Sequence, residues 1–398
     1  MAAAVLYLTD PDSAALAAAP VAGRPLALRA IVAAVRAGAE IVAVPAQLRR
    51  PELERLLART RGLGGRVRWL GADDVDAARA LAAGGCLLVP AAALVEARTL
   101  APLLADFAEP TETTLTESLE AGAPVLRVTA DTALRLVPAL AAGEPLGTEL
   151  MRHVEATRLK QVTASGLCFC ARTRGDLAEA NRLLYAGLGT DNDTGVDEYL
   201  HRRLSRGLTR VLVRTPATPN QVSALSLSIG LGAVWAFWDA TPLSAAVGVV
   251  VYLMACVVDH SDGELARLTF QESRLGAHLD WAIDTGVHSG LVLAMAVSAG
   301  PGTVTTTVIG LVGSAGVALS ALFARFLPRE IAVGETVGGA LKNMGNRDLF
   351  YLLLLSFVLL RWMAPSALPA MALVVALGSQ MYWIACVDRI RRGRTAGS

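Results

Sequence analysis

Four aspartates carry the densest chemical signal in this 398-residue chain. They occur as Asp259-x-x-Asp262-Gly263-x-x-Ala266-Arg267 and, eight residues later, Gly276-x-x-x-Asp280-x-x-x-Asp284. Both stretches belong to long apolar segments. A carboxylate inside a membrane costs roughly 2.5–3.5 kcal/mol on insertion scales, so an acid kept there is expected to have a function. Asp259 and Asp262, at i and i+3, share one helix face, and Asp280 and Asp284, at i and i+4, share another. If the two faces meet, four carboxylates converge and their repulsion demands cations. An all-oxygen, hard-donor site suits Mg²⁺ or Mn²⁺. Gly263, Ala266 and Gly276 remove bulk where a ligand or a neighbouring helix must come close, and Arg267 can meet a phosphate through its planar fork. The competing reading, helix-end salt bridges or caps, leaves the burial of four acids unexplained.

The elements that must position these residues divide the chain in two. Only 11 of the 36 basic and 11 of the 35 acidic residues fall in 221–398, so the first half reads as soluble and the second as membrane. Six apolar segments, near 221–238, 243–258, 276–299, 303–324, 348–363 and 367–387, predict a six-helix all-α transmembrane bundle. The links 259–275 and 325–347 and the tail carry ten Arg or Lys residues against Arg361 alone in the opposite loops. By the positive-inside rule both termini are expected in the cytoplasm of a multi-pass protein of the cell inner membrane. Residues 194–214 read as an amphipathic helix at the headgroup level, with Val196, Tyr199, Leu200, Leu204, Leu208 and Leu212 on one face. Arg202, Arg203, Arg206, Arg210 and Arg214 fall on the others. Asn220 stands where an N-cap would precede the first membrane helix.

Residues 1–185 alternate short apolar runs with helical stretches. Runs at 4–8, 40–46, 66–71, 85–91 and 124–130 read as strands, with helices at 25–39, 51–62 and 74–84 between them. Buried strands without polar alternation imply a parallel α/β sheet. The expected domains are therefore 1–193, a cytosolic α/β domain; 194–220, a juxtamembrane helix and linker; and 221–398, the membrane domain. Five cysteines show no metal spacing, and Cys168 and Cys170 would point to one side of a strand, which suits a core in a reducing compartment. The opening AAAVLYL is short, lacks basic residues and runs into Asp10, so it reads as a strand rather than a leader. A net charge of +1 gives no field for nucleic acid.

The aspartate array resembles the signature of the CDP-alcohol phosphotransferase family, with all eight fixed positions present in order, and TPNQVS (218–223) resembles that family's entry into its first membrane helix. The resemblance implies transfer of a phosphoryl-alcohol group from a CDP-linked donor to an acceptor hydroxyl, with release of CMP. It implies that Asp259, Asp262 and Asp280 bind two divalent ions, and that Asp284 completes the second metal position or acts as general base. It further implies that Asn220, Asp262, Gly263, Ala266, Arg267 and Gly276 shape the CDP pocket. Arg329, Arg347 and Arg389, at cytosolic helix ends, correspond in position to basic residues that hold the acceptor phosphate in members using inositol phosphates. Positive-inside anchoring in an Arg-rich chain is the competing account. His288, one turn beyond Asp284, is expected to be a packed core histidine, as are His260 and His278. The family habit and the small residues of GLVGSAG (310–316) suggest a homodimer. An ion transporter or scaffold that keeps the acids for ion binding is the reading from another class.

The soluble half is similar in part to sugar-phosphate nucleotidyltransferases fused to this membrane domain, through GRPLALRAIVAAVRAGAEIVAV (23–44) and the junction 193–221. It departs from them where chemistry would sit. The nucleotide loop reads LTDPDSAALAAAPVAG (8–23) in place of a glycine-rich turn, Arg24 replaces the usual Lys, and LLVPAAALVEA (87–97) lacks the expected metal-binding acid. A fold retained with cytidylyl transfer lost is the expectation, an active bifunctional enzyme the alternative. Asp191-Asn-Asp193 is not a calcium loop, because Arg202 holds the twelfth position.

Overall fold

The computed structural model describes residues 2–105, 111–157, 159–189, 195, 197–239, 241–327 and 347–395. Two compact units emerge: Met1–Leu188 with Leu268–Gln271, and Gly189–Arg267 with Glu272–Ser398.

The first unit is α/β. In chain order it runs β1 (Ala3–Tyr7), α1 (Ser13–Ala18), α2 (Leu26–Ala37), β2 (Ile41–Pro45), α3 (Pro51–Arg59), β3 (Val67–Leu70), α4 (Val75–Ala82) and β4 (Cys86–Pro90). It continues with β5 (Ala93–Val95), α5 (Ala97–Ala105), β6 (Thr113–Leu115), α6 (Thr116–Glu120), β7 (Leu126–Val128) and α7 (Ala130–Ala142). The unit ends with α8 (Gly147–Ala156), β8 (Lys160–Val162), β9 (Cys168–Cys170) and α9 (Asp176–Ala186). Seven strands form a sheet in the order β8-β6-β7-β4-β1-β2-β3. The five strands read from sequence are all present. The sheet is mixed rather than parallel throughout, because β7 pairs antiparallel with both β4 and β6.

Why the strands lack alternation is visible in β1. Ala4 and Leu6 enter the core on one face of the sheet, while Ala3, Val5 and Tyr7 enter the core on the other. Helices cover both faces, so every position is apolar. Gly38, at φ 116, supplies the left-handed turn that ends α2 and sends the chain into β2. Cys168 and Cys170 lie on β9 as free thiols, and burial pushes them up to about 11 and about 12. They are core residues, as the sequence suggests.

The turn after β1 is closed on itself. The amide of Asp12 donates to the Asp10 carboxylate; those of Ser13, Ala15, Leu16 and Ala19 donate to carbonyls of Asp10, Asp12 and Leu16. The Ala22 amide donates to Asn181 Oδ1. After β4 the chain continues as Ala91 and Ala92, and the next acid, Glu96, pairs with Arg98.

One buried polar cluster ties the far side of the sheet together. Glu112 accepts from the Thr129 amide and hydroxyl at 3.2 and 3.1 Å and lies 2.6 Å from His153 Nε2. Burial alone would raise the Glu112 carboxyl, but the hydrogen bonds from Thr132, His153 and Thr129 outweigh it and hold the group below its ordinary value. A carboxyl depressed on folding stabilises the fold above its unfolded pKa, and that contribution is lost as pH falls through the folded value. Glu112→Gln is therefore expected to destabilise this unit by about 2 kcal/mol at pH 7. The difference should shrink as pH falls through the folded value of Glu112, as read by hydrogen exchange at β6 and β7.

The second unit is helical: α10 (Arg202–Leu212), α11 (Pro219–Trp238), α12 (Pro242–Thr269), α13 (Arg274–Ala299), α14 (Val304–Phe326), α15 (Arg347–Met363) and α16 (Leu368–Thr395). Five of these are long and apolar enough to cross a membrane, and α15 contributes a shorter apolar stretch, Leu349–Met363. The second segment predicted from sequence ends at 258, whereas α12 continues to Thr269, so the first half of the aspartate motif is helix and not link. Small residues let the helices approach: Gly230 of α11 faces Val287 of α13, and Gly290 of α13 faces Val234 of α11. Gly310, Gly313 and Gly316 of α14 pack against α13 and α16 within the same chain. The glycines of GLVGSAG thus serve this bundle, which removes them as the signal for a dimer.

The juxtamembrane helix differs from its sequence reading in two respects: the apolar face is split between the surface and the bundle, and one arginine turns inward. Tyr199, Leu200 and Leu204 are exposed, as an interfacial face requires, and Leu208 and Leu212 pack beside Val222, Val258 and Leu265. Arg202 is buried rather than solvated, together with Ser205 and Thr209. Val196 lies outside the described residues.

Candidate metal centre

Asp259 and Asp262 sit on α12 and Asp280 on α13, and one ligand oxygen from each lies within 4.8 Å of the others. The i,i+3 spacing places the first two on one face, and the link 270–273 returns the chain so that α13 presents Asp280 beside them. Asp259 and Asp262 are only 8% and 5% exposed. Three carboxylates converging at this burial repel one another, and a divalent cation of oxygen preference fits between them. Asp284 is one turn further along α13 and is not in this triad, so the structure brings three of the four predicted ligands together.

Residues near the triad are held by local chemistry. Ser223 Oγ of α11 donates to Asp262 Oδ2, a partner that the motif alone does not reveal. Thr218, not Asn220, caps α11: its hydroxyl accepts from the Gln221 amide while the Gln221 side chain accepts from the Thr218 amide, with Pro219 at the first helical position. The T-P-x-Q spacing carries that signal. Asn220 is left exposed in the first turn, and its Oδ1 is 3.8 Å from where a Cβ on Gly276 would lie. Ser273 caps α13 by accepting from the Gly276 amide at 2.9 Å. A Cβ on Gly263 would lie 3.4 Å from the Arg267 guanidinium. Asn220, Gly276 and the start of α13 are thus neighbours, as are Gly263 and Arg267, while Ala266 is half-buried one residue before Arg267.

The histidines separate. His288 Nδ1 lies 2.6 Å from the Asp284 carbonyl, and its Nε2 lies 2.7 Å from Tyr252 Oη. A ring N–H is the donor to a carbonyl, so Nδ1 carries the proton and Nε2 accepts from the tyrosine. His288 is therefore a packed core residue, as expected. His260 packs beside His201, which meets Tyr351 Oη. His278 is exposed, against expectation, because it falls on the outer face of α13. Among the three arginines proposed for an acceptor phosphate, Arg389 is exposed near the end of α16. Arg329 lies outside the described residues, and so does the side chain of Arg347, the first residue of α15.

Glu264, the first variable residue after Asp262-Gly263, went unread in the sequence. It is fully buried and accepts from Arg202 at 3.1 Å, Ser205 at 2.8 Å and Thr209 at 2.8 Å. An acid within an apolar helix, opposite an Arg-x-x-Ser-x-x-x-Thr face, is the signal that could have found it.

Residues 217–386 match the CDP-alcohol phosphatidyltransferase family. The chain is 26% identical over 193 residues to a protein of Archaeoglobus fulgidus named bifunctional IPC transferase and DIPP synthase, covering 47% of this chain and 37% of that one. Proteins of the same name from Thermococcus kodakarensis and Rubrobacter xylanophilus are 29% and 30% identical over 126 and 128 residues. These alignments cover 31% and 32% of this chain and 28% and 29% of those proteins. The matched part thus spans about a third of the length of these relatives. With the triad, the eight motif positions and the apolar helices inside the matched range, the C-terminal region of this multi-pass membrane protein is a CDP-alcohol phosphatidyltransferase domain.

Proposed function

We propose that this chain transfers a phosphoryl-alcohol group from a CDP-linked donor to an acceptor hydroxyl and releases CMP. The observation that carries the proposal is the triad of Asp259, Asp262 and Asp280 inside the matched domain. When bound there, divalent cations would neutralise the donor diphosphate and stabilise the departure of CMP. Asp259, Asp262 and Asp280 hold them, and Ser223 orients Asp262 through its hydroxyl. Asp284 serves the second ion or takes the proton of the acceptor hydroxyl, which is a poor nucleophile at neutral pH. Asn220, Gly263, Ala266, Arg267 and Gly276 form the CDP subsite, where glycines leave room for the nucleotide. Arg329, Arg347 and Arg389 are assigned to an acceptor phosphate by their place in the sequence, beside the ends of the apolar segments expected to face the cytoplasm. Both termini are assigned to the cytoplasm of the inner membrane by the bias of basic residues among the links, and a homodimer is assigned by the family resemblance alone.

The α/β domain is proposed to be inactive in cytidylyl transfer. The amides of Asp12, Ser13, Ala15, Leu16 and Ala19 after β1, which a triphosphate would need, are already bonded within the turn, and no acid follows β4 closely enough to hold a metal there. The bifunctional alternative draws on the name of the relatives.

The test is CMP release by the purified chain with Mg²⁺ and CDP-diacylglycerol, with and without myo-inositol phosphate, and then with CDP-inositol. Release stimulated by an acceptor supports the proposal; no CMP from either donor refutes it and favours an ion transporter. CTP consumption with inositol phosphate would restore the bifunctional reading.

A further inference from the structure

The buried Glu264 has no place in the reaction just described, yet among the described residues it is the most enclosed acid of the second unit. Both its oxygens are satisfied: Oε1 by Arg202 and Ser205, and Oε2 by Thr209. Every one of those partners is on α10. Ser261 of α12 adds a fourth link, donating to the Ser205 carbonyl at 3.3 Å. The Arg202 and Glu264 side chains are 5% and 0% exposed. Desolvating such a pair opposes the attraction it gains, and well-packed apolar residues would stabilise the contact at least as well. What an ion pair with two hydroxyls adds is a single allowed geometry.

That geometry bears on the metal site. Glu264 is two residues after Asp262, about 200° around the helix, so the two acids point to opposite sides of α12. On one side Ser223 of α11 holds Asp262, and on the other α10 holds Glu264. The helix is gripped from both sides, which fixes its rotation about its own axis. Carboxylates sit about 5 Å from that axis, so a 20° rotation would move them by about 2 Å. Metal–ligand distances tolerate only about 0.2 Å.

We propose that Glu264 is a positioning residue: clamped by Arg202, Ser205 and Thr209, it sets the rotation of α12 at which Asp259 and Asp262 meet Asp280. The inference rests on reading that triad as a metal site. It gives the juxtamembrane helix a task in the active site beyond lying at the membrane surface.

The experiment is a Mn²⁺ titration of the full chain in lipid nanodiscs, with free Mn²⁺ read by electron paramagnetic resonance and no turnover required. Glu264→Gln is expected to raise the Mn²⁺ dissociation constant about tenfold. The Mg²⁺ concentration for half-maximal CMP release should rise by a similar factor, while the rate at saturating metal stays within about threefold. A folded Glu264→Gln chain that binds Mn²⁺ like wild type overturns the inference. If that variant does not fold, Ser205→Ala combined with Thr209→Val keeps the ion pair and loosens the clamp. A shift of about threefold in Mn²⁺ affinity is then expected, and no shift overturns the inference. Asp262→Asn separates the two readings. Mn²⁺ binding insensitive to Asp262→Asn refutes the metal site itself. Binding that Asp262→Asn abolishes but Glu264→Gln leaves unchanged refutes positioning alone.

Discussion

Asp280→Asn is expected to lower CMP release to below about one-thousandth of wild type, a barrier increase of about 4 kcal/mol. Asp280 is the member of the triad contributed by α13, so its loss takes from Asp259 and Asp262 the one triad carboxylate that comes from the second half of the motif. An amide keeps the volume and one acceptor oxygen but removes the charge that a hard cation requires. The same substitution relieves repulsion among three converging carboxylates in the metal-free chain. Its melting temperature without metal should therefore equal or exceed that of wild type, while the rise in melting temperature on adding Mn²⁺ should disappear. Loss of turnover with an intact or raised melting temperature separates lost chemistry from misfolding. Turnover near wild type in a folded Asp280→Asn chain would refute the assignment of the triad.

The triad was legible because its signal is local: fixed spacings on two helices translate directly into shared faces. The strands β1, β2 and β4 were legible for a related reason, since burial on both faces writes an uninterrupted apolar run. The antiparallel course of β7 was not. It depends on which neighbours a three-residue strand finds, and Leu126-Arg127-Val128 has the same apolar-charged-apolar pattern in either direction. The cap of α11 was misread by two residues because Thr218 and Asn220 are both capping types. Only the reach of Gln221 back to the Thr218 amide decides between them. Arg202 was read on an outward polar face at the headgroup level because periodicity sorts residues by polarity and assumes that polar faces turn away from the core. Here a buried acid 62 positions away makes a polar face the inner one. Such long-range pairing leaves no mark in a window of one helix.

Gly276→Val is expected to lower kcat/KM for the CDP-linked donor on the order of 100-fold, mainly through KM, while leaving Mn²⁺ binding nearly unchanged. A Cβ at this position would lie 3.0 Å from Ser273 Oγ and 3.8 Å from Asn220 Oδ1. Alanine forces a shift of a few tenths of an ångström in the capping serine. Valine adds two methyl groups in a space bounded by Asn220, and overpacking of this kind costs about 1–3 kcal/mol. The affected groups are the cap of α13 and the first turn of α11, both in the proposed CDP subsite. Asp280 is a full turn further along α13, so the metal triad should survive. Gly276→Ala should fall between wild type and valine. The split is the informative part: a purely structural glycine would lose Mn²⁺ binding and donor binding together as α13 misfolds. A nucleotide-subsite glycine loses the donor alone, and a loss of kcat at unchanged KM would place Gly276 outside that subsite.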